Sequence, residues 1–178
     1  MKRALFLDRD GVINHDTNYA YRPHEMIFVD GIFDLCRRAQ DLEYLLIVVT
    51  NQAGIGRGYY TEQDFHDLTH WIDQQFSDQG IALTETYFCP DHPEHGLGAY
   101  KKESFDRKPN PGMLLRAAQK YDLSPALSLM IGDRETDMQA AQAAGVGKKI
   151  LLCPEKPEKT VADFWVRGLG QVVPLLLG

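Results

Sequence analysis

Residues 4–11 read Ala4-Leu5-Phe6-Leu7-Asp8-Arg9-Asp10-Gly11. An apolar run ends abruptly in two carboxylates, which puts Asp8 and Asp10 at the C-terminal tip of a strand. Side chains alternate along a strand, so residues i and i+2 start out facing the same way. Two acids placed like this can share a metal ion and a phosphate, one as nucleophile and the other as proton carrier. That would suit a phosphotransferase or phosphohydrolase working through an aspartyl phosphate. A polar turn closing a strand is the alternative for this tetrapeptide, because Asp and Gly are common turn residues.

Further along, apolar runs alternate with segments of helical period. Strands are predicted at Ala4–Leu7, Leu45–Val49, Thr86–Phe88, Ser128–Ile131 and Lys149–Leu152, with a weaker one near Phe164–Val166. The second and fourth are continuously apolar, as expected when helices cover both faces of a parallel sheet. Ile32, Leu35, Ala39 and Leu42 share one helical face, and so do Phe65, Leu68, Ile72 and Phe76. Thr61 with Asp64 three residues on predicts a capping box, and Gly80 a stop. Asn110-Pro111 predicts an N-cap with proline at the first helical position. A helix over Glu135–Ala144 should end at Gly145, and a short one is expected over Gly168–Leu177. This order implies a doubly wound, mainly parallel α/β sheet with right-handed crossovers. Such sheets bind ligands beyond the C-terminal strand ends, where Asp8 and Asp10 lie.

The 178 residues suit one domain, 1–178, with its own core. Hydrophobic residues at 44% and charged residues at 25% argue against disorder or fibre. A net charge of -6 disfavours non-specific binding to nucleic acid or anionic membranes. No stretch is apolar and long enough to span a bilayer. Lys2-Arg3 and the run after it break at Asp8, too soon for a signal peptide. Three scattered cysteines, Cys36, Cys89 and Cys153, fit a reducing cytoplasm better than a disulfide framework.

Three more polar clusters follow apolar strands or open helices. Thr50-Asn51-Gln52 leads into Ala53-Gly54-Ile55-Gly56-Arg57-Gly58, where a hydroxyl and backbone N–H groups could hold phosphoryl oxygens; a glycine-rich surface loop is the alternative. Arg107-Lys108 precedes a helix start, and a lysine there suits a pentacoordinate phosphoryl transition state; an exposed basic pair is the alternative. In Ile131-Gly132-Asp133-Arg134-Glu135-Thr136-Asp137, Asp133 would complete a magnesium site, with Asp137 one helical turn later. Acidic residues also stabilise helix N-termini without any function. Four such clusters at successive strand ends of one fold favour the chemical reading.

In order, Asp8-Arg9-Asp10-Gly11-Val12-Ile13-Asn14, Thr50-Asn51-Gln52, Arg107-Lys108-Pro109 and Gly132-Asp133…Asp137 resemble the four motifs of the haloacid dehalogenase superfamily. The chain looks like its phosphatase branch. Within that branch it resembles the D-glycero-D-manno-heptose 1,7-bisphosphate phosphatases, with histidinol-phosphatase domains close by. The resemblance implies a magnesium-dependent enzyme with Asp8 as nucleophile and Asp10 as general acid and base. It also implies Asp8, the Asp10 carbonyl and Asp133 as magnesium ligands, with Asp137 behind them, and Thr50 and Lys108 on the phosphoryl oxygens. Asp16, Thr17, Asn18 and Tyr19 would contact the sugar, with Asn51, Gln52, Arg107 and Arg134 nearby. A second phosphate needs cations, and Arg107 and Arg134 are the candidates, with Arg57 behind them. There is no room for a cap domain, so selection falls to the loops Asn14–Phe28, Asn51–Tyr60 and Cys89–Asp106. The partner expected is a small phosphorylated sugar, and the chain is expected to be a monomer.

Relatives of this kind carry a structural zinc in the last of those loops. Here Cys89 is retained, but the matching later positions are Asp91, Ser104 and Asp106. Structural zinc takes four N/S ligands, and Cys89, His92 and His95 are too few. No zinc is expected, with Tyr100 and Phe105 as candidates for packing the loop instead.

Overall fold

A computed structural model describes residues 1–177. Six parallel strands, β1 (Arg3–Leu7), β2 (Tyr44–Asn51), β3 (Leu83–Cys89), β4 (Leu129–Gly132), β5 (Lys148–Leu152) and β6 (Phe164–Val166), form one sheet in the order β3-β2-β1-β4-β5-β6. All six predicted strands are present, most with ends extended by a residue or more. The helices are α1 (Ile32–Asp41), α2 (Ala53–Gly56), α3 (Glu62–Asp78), α4 (Gly112–Tyr121) and α5 (Glu135–Ala143).

Strand alternation divides the core. Leu5 and Leu7 of β1 face one side, with Ile32 and Leu35 of α1 and Leu68, Ile72 and Phe76 of α3. Ala4 and Phe6 face the other, with Met113 and Leu114 of α4 and Met138 and Ala141 of α5. Each large apolar side chain buried this way contributes about 1.5–3 kcal/mol. Both faces of β1 are therefore covered, which is why its sequence is apolar throughout.

The capping box of α3 forms: the Asp64 N–H donates to Thr61 Oγ1 at 3.1 Å, and the Thr61 N–H to Asp64 Oδ2 at 2.8 Å. Three local expectations need correction. Helix α4 starts at Gly112 with Pro111 as its cap, while the Asn110 side chain donates to the Ser104 carbonyl instead of capping. The glycine-rich stretch after Gln52 coils into one short helix, α2, rather than an open loop. The C-terminal segment forms two 3-10 turns, Leu169–Gln171 and Val173–Leu177, not one helix.

The register puts the site together. Leu7 pairs with Val48 on β2 and with Ile131 on β4, so Asp8 and Asp133, just past β1 and β4, lie at the same sheet edge as Thr50, near the end of β2. No cap domain interrupts the fold among the described residues, and none of their helices is long and apolar enough to cross a membrane.

Candidate active site

Asp8 leaves β1 with its side chain buried, and its Oδ1 accepts from the Arg9 N–H at 2.9 Å and from Lys108 Nζ at 2.9 Å. Lys108 comes from the loop before α4 and is 3% exposed. Its Nζ also donates to the Val49 carbonyl at 2.8 Å and lies 2.6 Å from Asp137 Oδ1, so all three donors are used. Asp137 Oδ2 in turn accepts the Asp133 and Arg134 N–H groups, at 3.2 and 3.1 Å. Carboxylate oxygens of Asp8, Asp133 and Asp137 lie within 4.8 Å of one another.

The electrostatics of this cluster follow from burial. Removal from water raises the Asp8 pKa, Asp137 raises it further, and Lys108 opposes both. Burial and then Asp137 push Asp133 up to about 6. Burial works against the charge on Lys108, but Asp137 and Asp8 outweigh it and hold the ammonium above the ordinary lysine value. Three carboxylates face one ammonium here, which leaves negative charge uncompensated. Asp133 Oδ1 is buried and has no hydrogen-bond partner. An orphaned carboxylate oxygen in an all-oxygen, net-negative cluster is what a hard divalent cation such as magnesium requires, so the residues fit that ion.

Gly11 explains how Asp133 gets so close. Its φ is +96°, and a Cβ there would sit 2.1 Å from Asp133 Oδ2. Only glycine satisfies both conditions.

Asp10 lies beyond the turn. Arg9, only 1% exposed, forks around it through Nε at 3.3 Å and Nη2 at 3.1 Å, while Nη2 also donates to the Ala20 carbonyl. Asn14 Nδ2 donates to Asp10 Oδ1 at 2.9 Å, and Gln52 Nε2 to Asp10 Oδ2 at 3.0 Å. The roles of Arg9 and Asn14 here were not drawn from sequence. The signal in reach was an arginine set between two acids at a strand end.

A cleft of about 410 Å³ opens over this floor. Of the residues singled out from sequence, Asp8, Asp10, Asp16, Asn18, Tyr19, Asn51, Gln52, Arg57, Arg107, Lys108, Arg134 and Asp137 line it. Thr50, Asp133 and Thr17 lie outside that lining: Thr50 is fully buried, Asp133 is half-buried beside Asp8 and Asp137, and Thr17 is exposed. All three predicted loops contribute walls: Asp16 and Tyr19 from the first, Arg57 and Tyr60 from the second, His92 from the third.

Two residues assigned to the sugar are committed elsewhere. The Asn51 amide clamps the Lys108 backbone, donating to its carbonyl at 3.1 Å and accepting its N–H at 3.0 Å. Gln52 is buried, with its amide spent on Asp10, Thr50 and Tyr60. Near the rim, burial lowers the Arg107 pKa, and the Arg57 and Arg134 cations add to this against the influence of Cys89. Three guanidiniums thus share one anion-seeking region. Arg134 is also tied to Asp16 at 3.2 Å across the mouth.

The third loop is held by protein contacts. Tyr100 packs against Ile55, Tyr60 and Phe65, whereas Phe105 is 64% exposed and so does not pack the loop as expected. Arg107 Nη1 donates to the Asp91 carbonyl at 3.2 Å, and the His92 N–H to the Tyr100 carbonyl at 3.0 Å.

Known proteins resemble the chain in sequence and fold. Residues 105–152 match the family described as HAD-hydrolase-like. The chain is 52% identical over 99% of its length, and 94% of the relative's, to D-glycero-alpha-D-manno-heptose-1,7-bisphosphate 7-phosphatase of Burkholderia mallei. The chain belongs to the haloacid dehalogenase-like phosphatases, in the heptose-1,7-bisphosphate 7-phosphatase family. The beta-anomer phosphatase of Vibrio cholerae is 49% identical over 88% of this chain and 84% of its own. Among solved structures, the D,D-heptose 1,7-bisphosphate phosphatase from B. bronchiseptica, complexed with magnesium and phosphate, superposes with a TM-score of 0.82 at 28% identity. That match covers 99% of this chain and 98% of the other. Like these relatives, the chain is a phosphatase.

Proposed function

We propose that this phosphatase removes the C7 phosphate of D-glycero-D-manno-heptose 1,7-bisphosphate through an aspartyl-phosphate intermediate. The observation that carries the reading is one cleft holding both a buried Asp8–Lys108–Asp137 cluster and a group of three arginines. The first suits a phosphoryl group undergoing transfer, and the second a phosphate that is only held.

In the first step an Asp8 carboxylate oxygen attacks phosphorus in line. The bond from phosphorus to the sugar oxygen breaks, and Asp10 gives its proton to the departing oxygen. In the second, Asp10 takes a proton from water, whose oxygen attacks phosphorus and releases Asp8 and inorganic phosphate. Lys108 offsets charge on the phosphoryl oxygens, and Thr50 offers its hydroxyl to them. Magnesium, held by Asp8, the Asp10 carbonyl and Asp133, would supply Lewis-acid neutralisation of the phosphoryl group.

We further infer that the enzyme acts as a single-domain cytoplasmic monomer on this small sugar, without nucleic acid or membrane partners, and that the Cys89–Asp106 loop holds no zinc. The three free cysteines support the reducing compartment. For the loop, Cys89 Sγ is buried 3.8 Å from Asp91 Oδ2, burial pushes its thiol up, and His92 Nδ1 already accepts the Glu94 and His95 N–H groups.

The test is a panel of sugar phosphates, both anomers of the heptose bisphosphate, and histidinol phosphate, run with magnesium. The heptose bisphosphate is expected to lead by about tenfold in kcat/KM, or about 1.4 kcal/mol of transition-state preference. A better rate on histidinol phosphate or another monophosphate would overturn the substrate, and no phosphate release from any ester would overturn the chemistry. Metal analysis of the same preparation should find no stoichiometric zinc.

A further inference from the structure

Gln52 is unusual among the cleft residues in being almost wholly buried, at 2% exposure, with both ends of its amide engaged. Its Nε2 donates to Asp10 Oδ2 at 3.0 Å and to Thr50 Oγ1 at 2.9 Å, while Oε1 accepts from the Tyr60 hydroxyl. An amide can turn by 180°, and only one orientation presents a donor to the Asp10 carboxylate. In the other, a carbonyl oxygen would face that carboxylate. A phenol that donates to Oε1 favours the productive orientation. Burial raises the Tyr60 pKa, so the hydroxyl keeps its proton.

The ring delivering that hydroxyl is itself located by packing. Tyr60 stacks on Tyr21 with centroids 5.2 Å apart and planes 6° from parallel. It occupies the space that a side chain on Gly54 would need: a Cβ there would lie 2.3 Å from Tyr60 Cε1 and 2.9 Å from Tyr19 Cδ1. Asp10 is meanwhile gripped by Arg9 and Asn14, so the Gln52 contact completes its restraint.

We propose that Tyr60 is a positioning residue for proton transfer to the leaving oxygen, acting through the orientation of Gln52 on Asp10, with Gly54 providing the space its ring needs. The proposal rests on the reading of Asp10 as the acid. A sugar oxygen must be protonated as its bond to phosphorus breaks, whereas 4-nitrophenolate leaves readily without a proton. The parameter kcat/KM covers events only up to the first irreversible step, transfer of the phosphoryl group to Asp8. Misplacing Asp10 should therefore cost the sugar phosphate more than the aryl phosphate, whereas a packing defect would cost both alike.

The experiment measures kcat/KM of the magnesium-loaded full chain on its best sugar phosphate and on 4-nitrophenyl phosphate. Tyr60→Phe keeps the stacked ring and removes only the hydroxyl. It should lower the sugar-phosphate value about tenfold, part of the ~10²–10⁴ that a general acid contributes, and lower the sugar-to-aryl ratio about fivefold. Gln52→Ala should lower the same ratio, and adding Tyr60→Phe to it should change the ratio less than twofold, because the two act as a unit. An unchanged ratio in Tyr60→Phe would overturn the proposal even if Gln52→Ala failed to fold, as would independent, multiplying effects. Asp10→Asn separates the layers. If it leaves the ratio unchanged, the acid role of Asp10 fails and the proposal falls with it; if wild type hydrolyses neither ester, the phosphatase chemistry fails first.

Discussion

The floor and the rim of the cleft are built differently. In or beneath the floor, Asp8, Thr50, Lys108 and Asp137 are each less than a tenth exposed, Asp8 and Thr50 at strand ends, Asp137 in α5 and Lys108 in the loop before α4, with hydrogen bonds consuming every Lys108 donor. At the rim, Asp16, Asn18, Tyr19 and Arg134 are exposed and borne largely on loops, and Asn18 and Tyr19 both take positive φ, at 61° and 60°. The contrast matches the task proposed for each region. Phosphoryl transfer needs charges already fixed in a dry, unyielding setting, because reorganising them during reaction would raise the barrier. Gripping one sugar among many needs only adaptable polar groups, and these can change without disturbing the chemistry.

The largest expected break in this contrast is at the floor. Asp8→Asn preserves shape and leaves Lys108 paired to Asp137, so the protein should fold while turnover falls at least about a thousandfold. Removing Lys108 would be a poorer probe, since truncating one member of a buried ion pair costs about 3–5 kcal/mol and confuses stability with catalysis. A folded Asp8→Asn variant with wild-type phosphate release would show that the floor is not the reacting centre.

Next comes Gly11→Ala, which forces a methyl against Asp133 and into a positive φ. Activity at limiting magnesium should fall about 10–100-fold, with part restored as magnesium is raised. A normal magnesium dependence would mean that Asp133 does not hold the ion.

The smallest effect belongs to the rim. Arg134→Ala removes one charge-assisted grip, worth about 1.5–3 kcal/mol, so KM for a bisphosphate should rise about tenfold or more while kcat stays within a few-fold. KM for the corresponding monophosphate should move much less. Equal effects on both would assign Arg134 to the reacting phosphate and erase the distinction between floor and rim.

Residues around the floor were unequally legible in sequence. Asp8, Thr50, Lys108 and Asp133 stood out because each follows an apolar run or opens a helix, and such patterns are local. The double duty of Asn51 and Gln52 did not. Asn51 clamps a backbone 57 positions away, and Gln52 reaches Asp10 across 42, distances over which periodicity carries no information. The packing expected of Phe105 failed for a similar reason: an aromatic residue in a loop has no neighbours written beside it, and this one faces solvent.

By itself, the sequence determined the strand–helix alternation, the parallel sheet and the set of groups available for phosphoryl chemistry. These follow from side-chain period and from residues adjacent in the chain. Only the tertiary structure decided which of those groups meet. The β1 register against β2 and β4 sets three strand ends side by side, the loop before α4 brings Lys108 to Asp8 from 100 positions away, and Gly54 leaves the space in which Tyr60 reaches Gln52. Such contacts depend on strand pairing and packing between segments far apart in the chain, and no local pattern specifies them.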